Sequence, residues 1–244
     1  MAVFRAFKAL RPTEEKATAV AALPYDLVNR EEAAAIGKEN PDSFLHVDRA
    51  EMDLPAETDL YDAKVYQKAK ENLHKMEETG VLVQDNKPCY YIYELVRKGK
   101  VQTGIAGCAS IDDYLNNVVK KHELTRSDKE LDRVNHVDVC DANTGPIYLA
   151  CRYTDALSAL LEQWKKEHKA TYDFTEEDEI THRVWVIDGD EAISQIQGEM
   201  EKIPALYIAD GHHRAASAVK VGLKRRQENP DYTGEEAFNY FLSV

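Results

Sequence analysis

The sequence predicts an α+β fold in which a mixed sheet is flanked by helices. Segments with strand-like and helix-like patterns alternate along the chain, without the strict repeat of a parallel α/β protein. Residues 89–96 and 101–111 are strand-like and are separated only by the charged tip Arg97-Lys98-Gly99-Lys100, which is typical of a β-hairpin. Of the 244 residues, 43% are hydrophobic and 31% are charged, as in globular proteins that bury a core.

The first part of the chain predicts short elements. Residues 3–10 and 18–23 have the composition of strands and are joined by a turn around Arg11-Pro12-Thr13. Residues 31–38 have the spacing of a short helix, and residues 43–47 again resemble a strand. This part therefore predicts three strands and one helix.

A long helix is predicted over residues 60–79, before Gly80 ends it. One face of this helix is apolar, which indicates packing against the core. The residues that form this face are Val65, Ala69, Leu73 and Met76.

The remaining elements alternate up to the end of the chain. Their predicted bounds are helix 126–136, strand 147–151, helix 155–168, strand 183–187 and helix 191–201. The apolar segment 238–244 resembles a strand about to be buried. We expect residues 1–244 to form a single mixed α/β domain, the N-terminal part of a longer protein.

The composition of the chain limits the binding partners and the cellular compartment that can be expected. The formal net charge of −13 disfavours binding to nucleic acid, although it does not exclude it. The N-terminus has no secretory hydrophobic region, and no segment approaches the roughly 20 apolar residues of a membrane span. The four cysteines lie far apart, which favours reduced structural thiols over disulfides or a zinc site. These features predict a cytoplasmic protein without membrane contacts.

The segment from Leu206 to Ala218 predicts a strand, a polar turn and the start of an alanine-rich helix. A helix N-terminus offers unpaired N–H groups and the positive end of the helix dipole, which suit a phosphate. A glycine at the turn lets the backbone approach an anion closely. The alternative is a plain helix start, with the aspartate as cap and solvated basic residues. The residues concerned are Asp210, Gly211, His212, His213 and Arg214.

A second polar segment, residues 120–133, is dense in reactive side chains. On a helix beginning near Arg126, the side chains of Arg126, Lys129 and Arg133 share a face and form a cationic row. His122 and Glu123 precede this helix and offer a general base or a magnesium-coordinating carboxylate. The alternative is a surface helix with ordinary ion pairs.

Two shorter motifs complete the candidates. Residues 143–146, Asn-Thr-Gly-Pro, form a polar turn that leads into a strand, and a plain turn is favoured over a site at this position. His182 and Arg183 open another strand and either lie on the surface or point toward a common site at the strand ends. The sequence contains no nucleophilic serine elbow, Walker A motif, Rossmann glycine loop or protein-kinase glycine loop. A nucleotide would therefore need a different cradle.

Residues 209–218 are similar to the phosphate-binding motif of the ParB and sulfiredoxin-like superfamily. Further segments, in the expected order over nearly the whole chain, resemble the family known as domain of unknown function 1015, whose members are often called ParB-like nucleases. These segments are 24–28 (PYDLV), 40–47 (NPDSFLHV), 122–125 (HELT) with Lys129, Asp132 and Arg133, 143–146 (NTGP) and 182–185 (HRVW).

The resemblance implies a phosphate-binding core. Gly211, His213 and Arg214 would bind phosphate, and Asp210 would orient the loop or help to hold magnesium. His212 occupies the position of the sulfiredoxin cysteine, so sulfiredoxin chemistry, which needs a sulfur nucleophile, is not expected. Phosphoryl transfer needs no such group, because positioning and charge neutralisation do most of the catalysis.

The resulting hypothesis is a phosphotransferase that acts on a small hydroxyl-bearing metabolite such as free serine, with Mg²⁺ and ADP or ATP. Lys129 and Arg133 would neutralise charge, while His182 and Arg183 would complete the phosphate cage. Glu123 would be the base for the acceptor hydroxyl, with His122 and Asp210 as further catalytic residues. Two alternatives stay open, a metal-dependent nuclease or phosphodiesterase and a non-catalytic nucleotide sensor.

Overall fold

A computed structural model of the protein describes residues 1–123, 127–176 and 179–244, without the side chains of residues 127–129. The strands are β1 (Phe4–Arg5), β2 (Leu10–Pro12), β3 (Leu82–Gln84), β4 (Tyr90–Arg97), β5 (Lys100–Ser110), β6 (Val119–Lys120), β7 (Tyr148–Ala150), β8 (Tyr172–Thr175), β9 (Thr181–Ile187), β10 (Leu206–Asp210) and β11 (Tyr240–Ser243). The α-helices are α1 (Ala17–Val20), α2 (Arg30–Glu39), α3 (Leu45–Asp48), α4 (Ala63–Glu78), α5 (Ile111–Leu115), α6 (Ser127–Cys140), α7 (Asp155–Glu167), α8 (Asp190–Met200) and α9 (His212–Glu228). Short 3₁₀ turns occur at Glu14–Lys16, Ala50–Asp53 and Ala237–Asn239.

The strands form three sheets. The largest is antiparallel, with the order β1-β5-β4-β9-β8 and with β11 also paired to β5. A smaller mixed sheet has the order β6-β10-β7, in which β10 runs parallel to β6 and antiparallel to β7. Strands β2 and β3 form an antiparallel pair. The predicted α+β class is therefore confirmed, as is the hairpin β4–β5.

The apolar core has two main parts. The larger part lies between the sheets and helices α7, α8 and α9, and includes Ile92, Trp185, Leu157, Ile196 and Val219. The second part lies around α4, beside α3 and the end of α6. All four residues of the predicted apolar face of α4 are buried there, so the interpretation of that helix is confirmed.

Two short predicted strands are wrong, and a third is divided between two strands. Residues 18–23 overlap helix α1, in which Ala17 and Val20 are buried three positions apart, and residues 43–47 lead into helix α3. In segments this short, buried residues fit a period of 2 and a helical period equally well. Residues 3–10 form two separate strands, because β1 pairs with β5 whereas β2 pairs with β3.

The four cysteines are free, and Cys89 and Cys140 are buried. Burial raises the pKa of the Cys140 thiol to about 12, so this thiol stays protonated at neutral pH. The expectation of reduced structural thiols fits these positions. In the part of the chain that the structure describes, no helix has both the length and the apolar character needed to cross a bilayer.

An ion pair ties the short elements to α4. His46 of α3 contacts Asp53 at 2.9 Å from Nδ1 to Oδ2, and Asn72 of α4 donates to Asp53 at 2.8 Å. The bond to Asp53 raises the pKa of His46, against the effect of burial. Burial acts to raise the pKa of Asp53, but the contact with His46, together with Asn72 and Lys68, outweighs it and lowers this pKa.

We expect Asp53→Asn to remove a pH-dependent part of the stability, about 1 kcal/mol or less for a partly exposed pair. Because the folded-state pKa of His46 is raised, its contribution is complete below the ordinary histidine pKa and is lost as pH rises through the folded-state value. Urea unfolding of both proteins between about pH 5.5 and 8.5 measures the difference, which should shrink toward high pH. The pKa of His136 is lowered mainly by burial, so this residue makes the stability change with pH in the opposite direction. Its effect is the same in both proteins and cancels in their difference. A difference that stays constant with pH would contradict this account.

Candidate functional site

The predicted strand–turn–helix motif is present. Strand β10 ends at Asp210, Gly211 is the N-cap residue with a φ of +88°, and helix α9 begins at His212. Such a φ lies in the left-handed region that glycine adopts without steric cost. In the described part of the chain, this helix start has no side-chain cap and no acidic residue in its first turn. The positive end of the dipole is therefore not offset by a carboxylate of the first turn.

Arg214 folds back over the loop that precedes its own helix. Its Nη2 donates to Asp210 Oδ2 at 2.6 Å, and its Nη1 donates to the carbonyl of Pro146 at 2.5 Å. A Cβ added at Gly211 would lie only 3.1 Å from Arg214 Nε. Glycine therefore serves two purposes here, because it supplies the positive φ and leaves room for the guanidinium.

A second arginine lies near the first. Arg133 of α6 has an 11% exposed side chain, contacts Asp132 at 2.9 Å and stacks over Tyr25 with its Cζ 4.2 Å from the ring centroid. Burial raises the pKa of the Tyr25 phenol, while the charges of Arg133 and Arg214 both act to lower it. Both guanidinium groups therefore lie close enough to Tyr25 to act on the same hydroxyl.

These residues line a cleft of about 760 Å³. One side, which we call the arginine wall, contains Tyr25, Arg133, Arg214 and the turn 143–146. The other side, which we call the strand wall, contains side chains of β4, β8–β9 and their connection: Tyr93, Leu95, Arg97, Glu176, Ile180 and His182. Apolar residues from the first 45 positions complete the lining, among them Leu10, Val20, Leu23 and Phe44. A cleft with a cationic wall and apolar surface suits an anionic ligand that has an apolar part.

The turn 143–146 connects the helices around the cleft. Thr144 Oγ1 donates to Asp48 Oδ1 of α3 at 2.7 Å, while Pro146 accepts the bond from Arg214. The sequence alone left a plain turn as the alternative to a site. The structure places this turn in the wall of the cleft.

His122 and Glu123 lie beside the start of α9, outside the lining of the cleft. The His122 ring meets that of His212 edge to face, with centroids 4.4 Å apart, and Glu123 Oε2 lies 3.6 Å from His212 Nδ1. Burial, and then the proximity of His122, lower the pKa of His212. The neutral imidazole is therefore favoured at position 212, so His212 is not a fixed cation for phosphate.

The other predicted residues fall into three groups. His213 and Asp210 belong to the helix start, where His213 is half-buried and Asp210 is exposed apart from its bond to Arg214. Arg126 and the side chain of Lys129 lie outside the described residues, so the cationic row is represented by Arg133 alone. His182 lines the cleft.

Arg183 does not join this cage, which corrects the expectation that it acts together with His182. Successive side chains of a strand point to opposite faces of a sheet. Arg183 therefore points away from the cleft and contacts Asp173 at 3.2 Å and Glu94 at 3.3 Å. This alternation was available from the sequence once residues 183–187 were predicted as a strand.

Tyr93, Glu176 and Asp48 also line the cleft, and the sequence reasoning missed them. The register gives a signal for Tyr93, because Leu95 pairs with His182 and residues 93, 95 and 97 share one face of β4. Asp48 and Glu176 gave no such signal, because each reaches the cleft through tertiary packing.

A metal ion at this site would need a set of donor side chains among the same residues. Within the described ranges, no three His, Cys, Asp or Glu side chains are grouped so that they could hold an ion. Mg²⁺ is often bound by one or two carboxylates together with substrate phosphates. The exposed Asp210 at the helix start and the cleft-lining Asp48 are carboxylates of the kind that this mode uses.

Comparison with known proteins gives one match. A family model described as "Protein of unknown function (DUF1015)" matches residues 4–244. No curated protein and no solved structure matches the chain. The match covers nearly all of the sequence, and its description names no activity, so the function has to be argued from the site.

Proposed function

The chain belongs to the family described as Protein of unknown function (DUF1015), and we propose that it is a nucleotide-dependent phosphotransferase of the ParB and sulfiredoxin-like type. The observation that carries the proposal is the pair of arginines, Arg133 and Arg214, that line the cleft and both lie close to Tyr25. Arg214 also belongs to the first turn of α9. Guanidinium groups and a helix N-terminus together favour a polyphosphate.

The two arginines have different roles in the proposal. Arg133 is fixed by Asp132 and Tyr25, so it provides a positioned charge that costs little to organise when a ligand binds. Arg214 is held by an exposed carboxylate and one carbonyl, which a phosphate oxygen can replace. A phosphate that displaces Asp210 from Arg214 would leave this carboxylate facing the same phosphate group, where Mg²⁺ would neutralise charge between them.

The transfer step is assigned to the helix start. The acceptor hydroxyl attacks the terminal phosphorus, a new O–P bond forms, and the bond from that phosphorus to the bridging oxygen of the nucleotide breaks. Glu123 takes the hydroxyl proton, since its carboxylate is 61% exposed and lies beside the first residue of α9. His122 and His212 position this carboxylate. Gly211 and the first-turn N–H groups, including that of His213, face the developing charge.

Partners and location belong to the same proposal. The partners are a nucleotide and a small hydroxyl-bearing metabolite such as free serine, and the location is the cytoplasm, where free thiols persist. A two-metal nuclease needs clustered carboxylates. Nothing among the described residues favours it, because they contain no cluster of three metal-ligating side chains.

A thermal-shift series tests the proposal. The protein is heated with ATP, ADP, CTP, GTP, inorganic phosphate or single-stranded DNA, each with and without Mg²⁺. A ligand that binds only the folded protein stabilises it and therefore raises Tm. At a ligand concentration of 100 times Kd, the stabilisation is about 2.7 kcal/mol. We expect the nucleotides to raise Tm more than phosphate does. A shift with DNA alone would favour a nuclease, and no shift with any nucleotide would contradict the proposal.

We expect Glu123→Gln to abolish transfer without abolishing binding. A general base contributes roughly 10²–10⁴-fold to rate, whereas an exposed carboxylate outside the cleft lining contributes little to nucleotide affinity. Turnover with the nucleotide that raises Tm is measured by ³¹P NMR on candidate hydroxyl compounds, and Kd by calorimetry. Glu78→Gln, at an exposed position on α4, is the control.

The results separate an enzyme from a sensor. Loss of turnover at unchanged Kd supports the assignment of Glu123 as base. If Kd rises as much as turnover falls, Glu123 binds the ligand instead. If the unaltered protein binds nucleotide but turns over none of the acceptors, the nucleotide sensor becomes the better account.

A further inference from the structure

His182 has one satisfied ring nitrogen and one that lacks a partner. Its side chain is 17% exposed, and the ring lies between Tyr93 and Phe174, with centroids 6.0 and 5.2 Å away. Nδ1 lies 2.8 Å from the hydroxyl of Tyr93. Nε2 is buried and has no hydrogen-bond partner among the described residues. A buried polar atom left in this way calls for an explanation.

The contact with Tyr93 determines which nitrogen carries the proton. Burial raises the pKa of the Tyr93 phenol to about 12, so the hydroxyl keeps its proton. Among the described residues, Nδ1 of His182 is the hydrogen-bond partner of this hydroxyl, so the hydroxyl hydrogen is satisfied there and Nδ1 accepts it. In a neutral imidazole the second nitrogen then carries the hydrogen. Nε2 is therefore a fixed donor without an acceptor.

The carboxylate of Glu176 is too far away to satisfy it. Glu176 Oε2 lies 3.7 Å from Nε2, beyond hydrogen-bond distance. Both side chains line the cleft. At this separation a single ligand oxygen can lie about 2.9 Å from both atoms, once a small rotation of either side chain opens the buried Nε2 to the cleft. That oxygen must accept a proton from Nε2–H and donate one to the carboxylate, which a hydroxyl group does and a phosphate oxygen does not.

We propose that His182 and Glu176 form a subsite that binds a ribose hydroxyl of the nucleotide, with Tyr93 fixing the tautomer. The inference rests on the proposed nucleotide cleft and adds the orientation of the ligand. The phosphates lie on the arginine wall and the sugar lies on the strand wall. Because Glu176 repels anions, we assign His182 to the sugar and not to the phosphate cage that the sequence predicted for it.

The test compares nucleotides with and without ribose hydroxyls. Calorimetry gives Kd for ADP, CDP and their 2′,3′-dideoxy forms, with Mg²⁺ present. A hydroxyl that bonds to a carboxylate and a fixed imidazole is expected to contribute at least tenfold in affinity. We expect ADP or CDP to bind at least tenfold more tightly than its dideoxy form.

Glu176→Gln and His182→Phe should reduce this ratio to less than threefold while Kd for the dideoxy form stays unchanged. Asp173→Asn is the matched control, because Asp173 belongs to strand β8, which leads to Glu176, and contacts Arg183 on the face away from the cleft. This control should keep the full ratio. Circular dichroism and Tm show that each variant is folded.

Each outcome has one meaning. If ribose and dideoxy forms bind the unaltered protein equally, the hydroxyl subsite is wrong and the proposed function stands. If both variants lose affinity for the ribose and dideoxy forms to the same extent, the two residues maintain the shape of the cleft but do not bind the ribose hydroxyl. The inference is then again wrong. If none of the four compounds binds, the nucleotide cleft and the subsite fail together.

Discussion

Replacing Arg214 by alanine is expected to weaken nucleotide binding about 100-fold, as the loss of a bidentate charge-assisted contact would. The side chain lies in the first turn of α9 and in the wall of the cleft, beside Gly211 and near Tyr25. Asp210, the carboxylate left behind, is 70% exposed, so water can solvate it and the fold should lose little stability. Calorimetry with the nucleotide that gives the largest Tm shift measures the effect.

The control is Arg225→Ala, which removes the same charge from the last turn of the same helix. Arg225 pairs with Asp138 at 2.8 Å and does not line the cleft. Its replacement should change Kd less than threefold. If Arg214→Ala leaves Kd unchanged, the phosphate site is not at the start of α9, and the proposed function loses its main support.

The largest effect on stability is expected from Gly222→Ala. Gly222 lies in α9 where this helix passes the 3₁₀ turn before β11. An added Cβ would lie 2.4 Å from the carbonyl oxygen of Phe238 and 2.8 Å from Ile111 Cδ1. Backbone cannot move aside as a flexible side chain does, so helix and turn must separate. We expect a loss of about 3 kcal/mol, measured by urea unfolding, in spite of the better helix propensity of alanine.

Gly198→Ala provides the comparison, because Gly198 lies inside α8 and nothing surrounds its Cβ position within 4 Å. This variant should gain about 0.5–1 kcal/mol from propensity and from a less flexible unfolded chain. Opposite signs at the two glycines are the expected result. If Gly222→Ala is as stable as the unaltered protein, α9 does not pack as closely on Phe238 and Ile111 as described.

Long amphipathic elements were predictable from sequence, and short ones were not. Helix α4 repeats its apolar face over four turns, whereas α1 and α3 each have four residues, too few to distinguish a helix from a strand. Neighbouring elements and tertiary packing determine that these two segments are helices. Both segments nonetheless contribute to the core, since Val20 and Val47 are buried.

The candidate site was predictable one segment at a time. The glycine turn, Arg133, the turn 143–146 and His182 each stood out by residue type and are found around one cleft. What the sequence could not show was which segments meet, because that depends on α6 packing beside α9, where Ser217 donates to the carbonyl of Glu130. Arg183 was misplaced for a simpler reason, since strand alternation was not applied to it.

The turn 143–146 connects the start of α9 to α3 at the edge of the cleft. Within this short connection, Thr144 is bonded to α3 and Pro146 to Arg214, so the backbone between them has little slack. An anion that draws Arg214 away from Pro146 frees one end of the connection while the other stays attached to Asp48. Under the proposed function, binding of an anion would therefore loosen the contact between α9 and the turn, while α3 keeps its own contact with the same three residues, 144–146.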